Sequence, residues 1–257
     1  MPHPLILLLA SLFLGGASAK TSPSKTSKSG LEMVHVEGGT FVMGGKDDVD
    51  DGGPQGGANA DECPHEVTVS SFLIGKFEVT QADWVSVMEE NPSAFRENLE
   101  CPVEQVSWEE VQEFISRLNA KHSRLYRLPT EEEWEYAARG GMKTKGYRYS
   151  VSNNASEVAW YKANSCGTTH PVGMLGPNEL GIHDMSGNIW EWCQNSKTPY
   201  PCDSTGKEFE SKVLRGGTWS HGLDSVRVRD RNARDSKMRL PTLGFRLALD
   251  GSKNADE

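Results

Sequence analysis

Residues 213–235, VLRGGTWSHGLDSVRVRDRNARD, hold the side chains best suited to recognition chemistry. Arg227, Arg229, Arg231 and Arg234 are interleaved with Asp224, Asp230 and Asp235. A guanidinium is a planar fork that matches carboxylate, phosphate or sulfate groups. Alternate arginines on an extended strand would share one face. Trp219, Ser220 and His221 precede this series. Together with Arg227, Arg229, Asp230 and Arg231 they form the expected ligand-binding set. The other reading is that the charges pair internally and brace an irregular loop. The stretch has no cysteine to act as a nucleophile.

Five cysteines lie elsewhere, at 63, 101, 166, 193 and 202. None is in a CxxC pair, which argues against a zinc site. If the chain is exported they can oxidise, and Cys193 with Cys202, close in sequence across a proline-containing loop, is the expected disulfide. The alternative is five reduced, buried thiols. Export is itself expected from the first nineteen residues. The apolar run LILLLASLFLGG ends in the small-x-small pattern ASA, as in a signal peptide cut before Lys20. That places the mature protein outside the cell or in a periplasm, with no transmembrane segment left after cleavage. Residues 20–30 are a polar linker, residues 31–250 one domain, and residues 251–257 a polar tail. A net charge of −9 on 257 residues speaks against a nucleic-acid partner. The partner left open is a protein or a polar small molecule. Asn154-Ala-Ser is a glycosylation sequon, relevant only in a eukaryotic secretory route.

Three helices must position these groups. Thr80 with Asp83, Ser107 with Glu110, and Thr130 with Glu133 read as helix-start caps. Trp84, Val87 and Met88 share a face of the first helix, and Val111, Phe114, Ile115 and Leu118 a face of the second. Met33, Val34, Val36, Phe41 and Val42 flank Gly38–Gly39, which reads as a β-hairpin turn. HEVTVSSFLIGKFEVT is one or two strands, and residues 46–62 a solvated acidic loop. After Gly141 only short apolar pieces remain between Gly, Pro, Asn and Ser, so the expectation is α+β with high irregular content.

Four stretches taken in order carry a family resemblance: GGTFVMG (38–44), RLPTEEEWEYAARGG (127–141), GNIWEWC (187–193) and LRGGTW…LGFRLA (214–248). The chain resembles the formylglycine-generating enzyme, or sulfatase-modifying factor, family. The resemblance implies that family's variant of the C-type lectin fold. The family's enzyme oxidises a sulfatase cysteine with copper held by two cysteines. Its matching positions, four and nine residues past Gly217, are His221 and Val226 here. Cuprous copper needs soft thiolates, so the resemblance implies that copper and catalysis are absent. A related branch uses histidine-held iron; this chain has no HxxxH and no added helical domain. The resemblance also implies calcium, held by the side chains of Asp184 and Glu191 and the carbonyls of Gly187 and Ile189, since hard cations take oxygen ligands. The competing reading has Asp184 capping a turn and Glu191 paired with an arginine such as Arg246. Arg215 and Arg246 are expected to be structural ion-pair partners.

The function expected is therefore an exported, non-catalytic domain that binds through its C-terminal irregular surface. Three alternatives stand beside it: a sulfatase-cysteine oxidase with a variant site, a structural envelope-assembly component, and a variable binding protein of a diversity-generating retroelement. The last draws on the placement of residues 220–242 between RGGSW-like and GFR-like framework segments. Only Lys237 and Met238 there fall outside what AAY codons can become.

Overall fold

The Gly38–Gly39 dipeptide does not turn the chain back on itself, contrary to the hairpin expectation. In this computed structural model, which describes residues 28–45, 62–201 and 210–251, β1 (Met33–Val36) pairs with β4 (Phe72–Gly75) and β2 (Gly39–Met43) with β3 (His65–Val69). Two-residue hairpin turns need positive φ at the turn positions; neither glycine adopts it. The four strands form one long antiparallel ribbon that kinks midway, where Val36 faces Phe72 and Gly39 faces Val69. Gly38 allows the kink because a Cβ there would lie 2.6 Å from the Ser71 nitrogen.

β9 (Ala248–Asp250) adds to the other edge of β4, bringing the end of the domain back beside its beginning. A second sheet holds four strands in the order β7 (Arg231–Arg234), β6 (Lys212–Arg215), β5 (Trp190–Ser196), β8 (Leu243–Gly244), with β5 and β8 parallel. Helices α1 (Gln81–Met88), α2 (Trp108–Lys121) and α3 (Glu131–Ala138) each open with the reciprocal capping box expected of them. Such a box satisfies two otherwise orphaned backbone groups. The α1 and α2 faces meet where the Trp84 and Phe114 rings stack at 5.1 Å, with Phe245 edge-on to Phe114 at 5.4 Å. Burying such aromatic surface is the main favourable term holding the helices to the sheet.

After Gly141 the only α-helix among the described residues is the single turn α4 (Ala155–Val158). The long irregular stretch is held by side chains instead. Buried Asn188 accepts from the His170 N–H and donates to Glu78, while its own N–H reaches the Trp160 carbonyl. Buried backbone without a ladder needs such partners. The result is α+β with high irregular content, as expected.

Candidate functional site

β6 ends at Arg215, and the next two residues set the direction of everything after it. Gly216 and Gly217 sit at φ of 95° and 78°, a region other residues adopt only with strain. A Cβ on Gly217 would lie 2.0 Å from the Ser225 carbonyl oxygen, so the chain folds back over this point. Trp219 is fixed by its N–H to the Asn188 carbonyl at 2.8 Å and its indole N–H to the Pro241 carbonyl at 3.0 Å. Its ring meets Phe95 edge-on at 5.4 Å. The Trp190 indole donates to His221 Nδ1 at 3.3 Å. Burial, and then the charge of Arg234, pull His221 below the ordinary histidine range, so the ring stands neutral. Val226, the second position that would carry a thiolate, is fully buried with Tyr149, Ala155, Val158 and Ala159. A hydrogen-bonded imidazole and a buried valine cannot make a dithiolate copper site.

The arginine series does not share one face. Residues 227–230 form a turn, closed by the Asp230 N–H to the Arg227 carbonyl at 3.1 Å, and extended structure begins only at Arg231. Arg215 holds that turn from beneath: it donates to the carbonyls of Val228, Arg229 and Asp230 at 3.1, 2.9 and 2.8 Å, and pairs with Glu135. Arg231 turns away, donating to both oxygens of Glu131 at 2.8 and 2.7 Å and lying 4.0 Å over the Tyr200 ring. Its side chain is fully buried, which removes it from the expected ligand-binding set. Arg227 and Arg229 reach Glu62 at 3.1 and 3.3 Å and line a cavity of about 290 Å³ together with Gly45, Arg139, Tyr147 and Arg148. Asp230 sits behind this wall against Arg227. Burial, then the charge of Glu62, push its carboxyl up to about 7.

The expected ligand set therefore falls into two parts, an aromatic one at Trp219–Ser220–His221 and a cationic one at Arg227–Arg229. Arg139, Tyr147 and Arg148 were not legible as site residues, because they lie on segments about 80 to 90 residues away in sequence.

Glu191 does not present an open carboxylate. Arg246 donates to its two oxygens at 2.7 and 2.6 Å, and the Trp134 indole donates at 2.6 Å. Asp184 accepts the Gly173 N–H at 2.6 Å through one oxygen. Burial above all raises its carboxyl to about 6. Gly187 packs on the Trp160 carbonyl, and Ile189 is wholly buried. Among the described residues no three His, Cys, Asp or Glu side chains gather to hold a metal. Of the implied calcium ligands, Glu191 is engaged by a guanidinium, whereas the buried Asp184 Oδ1 has no hydrogen-bond partner. Trp190 and Trp192 flank Glu191 in β5, and both are core residues.

The expected Cys193–Cys202 disulfide is also corrected. Cys193 is a free thiol, wholly buried in the cluster that includes Trp134 and Val213, so the strand turns its sulfur inward. Cys63 is disulfide-bonded, and Cys101 and Cys166 are free. Cys202, the expected signal peptide, the expected linker before Lys28 and the residues beyond Gly251 lie outside the described residues. Among the described residues no helix is long and apolar enough to cross a membrane.

Comparison with known proteins agrees with this geometry. The model of the sulfatase-modifying factor enzyme 1-like domain matches residues 18–251. The chaperone protein LppX of Paenibacillus barcinonensis is 31% identical over 95% of this chain and 97% of its own length. The inactive C-alpha-formylglycine-generating enzyme 2 of Mus musculus is 29% identical, covering 88% of each. Among solved structures, Treponema denticola variable protein 1 superposes with a TM-score of 0.74 at 28% identity, over 85% of this chain and 95% of that one.

Proposed function

This chain belongs to the sulfatase-modifying factor enzyme 1-like family, and from that premise we propose that it is an exported, non-catalytic binding protein of the formylglycine-generating-enzyme fold. It engages a protein partner or polar ligand through the surface around Trp219, Ser220, His221, Arg227 and Arg229. One observation carries the loss of chemistry: the two thiolate positions are His221, bonded to Trp190, and Val226, buried among apolar side chains. Neither can bind cuprous copper as a thiolate does. The likeness to an inactive family member supports the same reading. The likeness to a protein named a chaperone supports a protein partner, and its near-full coverage extends that support to the whole domain.

The test is direct. The purified protein, Cu(I), oxygen and a cysteine-containing sulfatase peptide are incubated and the peptide is weighed by mass spectrometry. The proposal expects no aldehyde; conversion of the cysteine would establish a variant oxidase site.

A second reading, a variable binding protein, draws on the likeness to the Treponema variable protein. The fold narrows it, because Val226, Val228 and Arg231 within residues 220–242 are buried. Variation would be tolerated at exposed positions such as Leu223 and Asp224. A reverse transcriptase gene with a near-copy of the 3′ segment beside this gene would favour it, and their absence would remove it.

A further inference from the structure

We propose that Met142 is a site of oxidation by hydroperoxides and that its sulfoxide is captured by the buried hydroxyl of Tyr136. The site uses none of the residues assigned to binding and stands independently of that reading. Tyr136 lies on α3, is buried, and packs its ring against Phe41 of β2 at 5.1 Å. Its hydroxyl oxygen is shielded from water and has no hydrogen-bond partner among the described residues. Burial, and then the charge of Glu37, hold the phenol above its ordinary range. The group therefore keeps its proton and is a donor in want of an acceptor. Leaving a buried donor unmade is costly, and most buried polar atoms avoid it.

A sulfur stands close by. α3 is followed by a single 3₁₀ turn, Gly141–Lys143, which brings Met142 back over β2. A Cβ built on Gly39 would lie 2.6 Å from the Tyr136 hydroxyl oxygen and 2.7 Å from the Met142 sulfur. The two atoms therefore meet over one point of the strand, no farther apart than those distances combined. Glycine at 39 leaves the room in which both sit. A thioether sulfur is a weak acceptor, and here it makes no bond to the hydroxyl. The Met142 side chain is nonetheless 66% exposed, ahead of Met174 at 57% and Met238 at 40%, so an oxidant in solvent reaches it.

Oxidation changes the chemistry of that pair. A hydroperoxide hands one oxygen to the sulfur: an S–O bond forms as the O–O bond breaks, sulfur loses two electrons, and the peroxide departs as water or an alcohol. The sulfoxide carries a polar oxygen, a better acceptor than the thioether it replaces. It does so on an unbranched side chain whose rotatable bonds let it adjust. The unpartnered hydroxyl gains its acceptor, and the turn after α3 becomes tied to Tyr136 across Gly39. Methionine oxidation commonly disrupts packing; at this position it tightens the fold.

The test combines peroxide treatment with a double-mutant cycle in the intact protein. Dilute hydrogen peroxide followed by peptide mapping should find Met142 oxidised in the native state to at least the extent of Met174. Peroxide yields both sulfoxide epimers, so Met142→Gln serves as a single-species mimic, with an amide oxygen in place of the sulfoxide oxygen. Urea unfolding of wild type, Met142→Gln, Tyr136→Phe and the double variant reads the coupling. Tyr136→Phe removes a hydroxyl that bonds nothing and should leave the reduced protein at least as stable, so every corner of the cycle folds. Met142→Gln should favour folding about fivefold more in wild type than in the Tyr136→Phe protein. Peroxide should likewise raise the melting temperature of wild type relative to Tyr136→Phe treated in the same way, the other methionines being common to both. Four results would each overturn the assignment: a Met142 that resists peroxide while Met174 oxidises, additive effects of the two substitutions, no difference between the peroxide-treated pair, or a Tyr136→Phe protein less stable than wild type.

Discussion

Arg215 is the post on which the cationic half of the surface stands, and removing it gives the most informative perturbation. The side chain is wholly buried, lies 5.4 Å over the Trp134 ring, and donates to three consecutive turn carbonyls as well as to Glu135. Arg215→Met keeps much of the apolar stem and deletes every donor. Glu135 keeps the Gly44 N–H and Arg139 on its Oε1 at 2.9 and 2.8 Å, but its buried Oε2 loses the Arg215 donor. The cost therefore comes from the carbonyls of Val228, Arg229 and Asp230, at about 1 kcal/mol or more each, and from that carboxylate oxygen. The expected loss is about 3–5 kcal/mol, the range for breaking a buried pair. At about 2–4 °C per kcal/mol for a domain of this size, the melting temperature should fall by about 10 °C. Urea unfolding and calorimetry of wild type and variant measure both quantities. A loss below about 1 kcal/mol would refute the claim that this guanidinium holds the turn.

Glu104 provides a pH test. Burial pushes its carboxyl up to about 7, against the opposing pull of the Phe95 and Ala94 N–H groups, while an unfolded glutamate titrates near about 4.3. With its folded value raised, its stabilising contribution is complete below about pH 4 and is lost as pH rises through about 7. Glu104→Gln should flatten the fall in urea midpoint between pH 5 and pH 8; an unchanged fall would point to other groups. Chelator should leave the melting curve unmoved, since Arg246 occupies Glu191; a drop of several degrees would restore calcium to Asp184 and Glu191. A thiol reagent should label exposed Cys166 in the native protein and reach buried Cys101 and Cys193 only on unfolding, burial holding both thiols above the ordinary cysteine range. Native labelling of Cys193, read by mass spectrometry, would contradict its placement.

What the sequence made legible was local. Each helix start is written within four residues, Thr80 to Asp83 being one case, so the capping boxes could be read before any contact was known. The ion-pair roles of Arg215 and Arg246 were also readable, and both are buried against glutamates. What failed depended on torsions or on distant partners. Gly38–Gly39 has the composition of a hairpin, yet composition does not reveal the sign of φ. The arginines alternate in sequence, yet the turn at residues 227–230 sends Arg229 towards Gly45 and Arg231 towards Glu131. Alternation guarantees a shared face only in extended chain. Cys193 and Cys202 are close in sequence, but β5 faces the Cys193 sulfur into the core. Arg139 and Arg148 could not be joined to Arg227 and Arg229 by any spacing rule, since the fold alone brings them together.

The central proposal is that this scaffold keeps the family framework but lacks the thiolate copper site that the family resemblance would imply. Competition titration of the purified, reduced protein with Cu(I) against a chromogenic chelator tests it most directly. The account predicts no tight site at His221, so His221→Ala should leave the titration unchanged. One tightly held Cu(I) per chain that disappears in His221→Ala, accompanied by oxygen consumption with a thiol peptide, would contradict it.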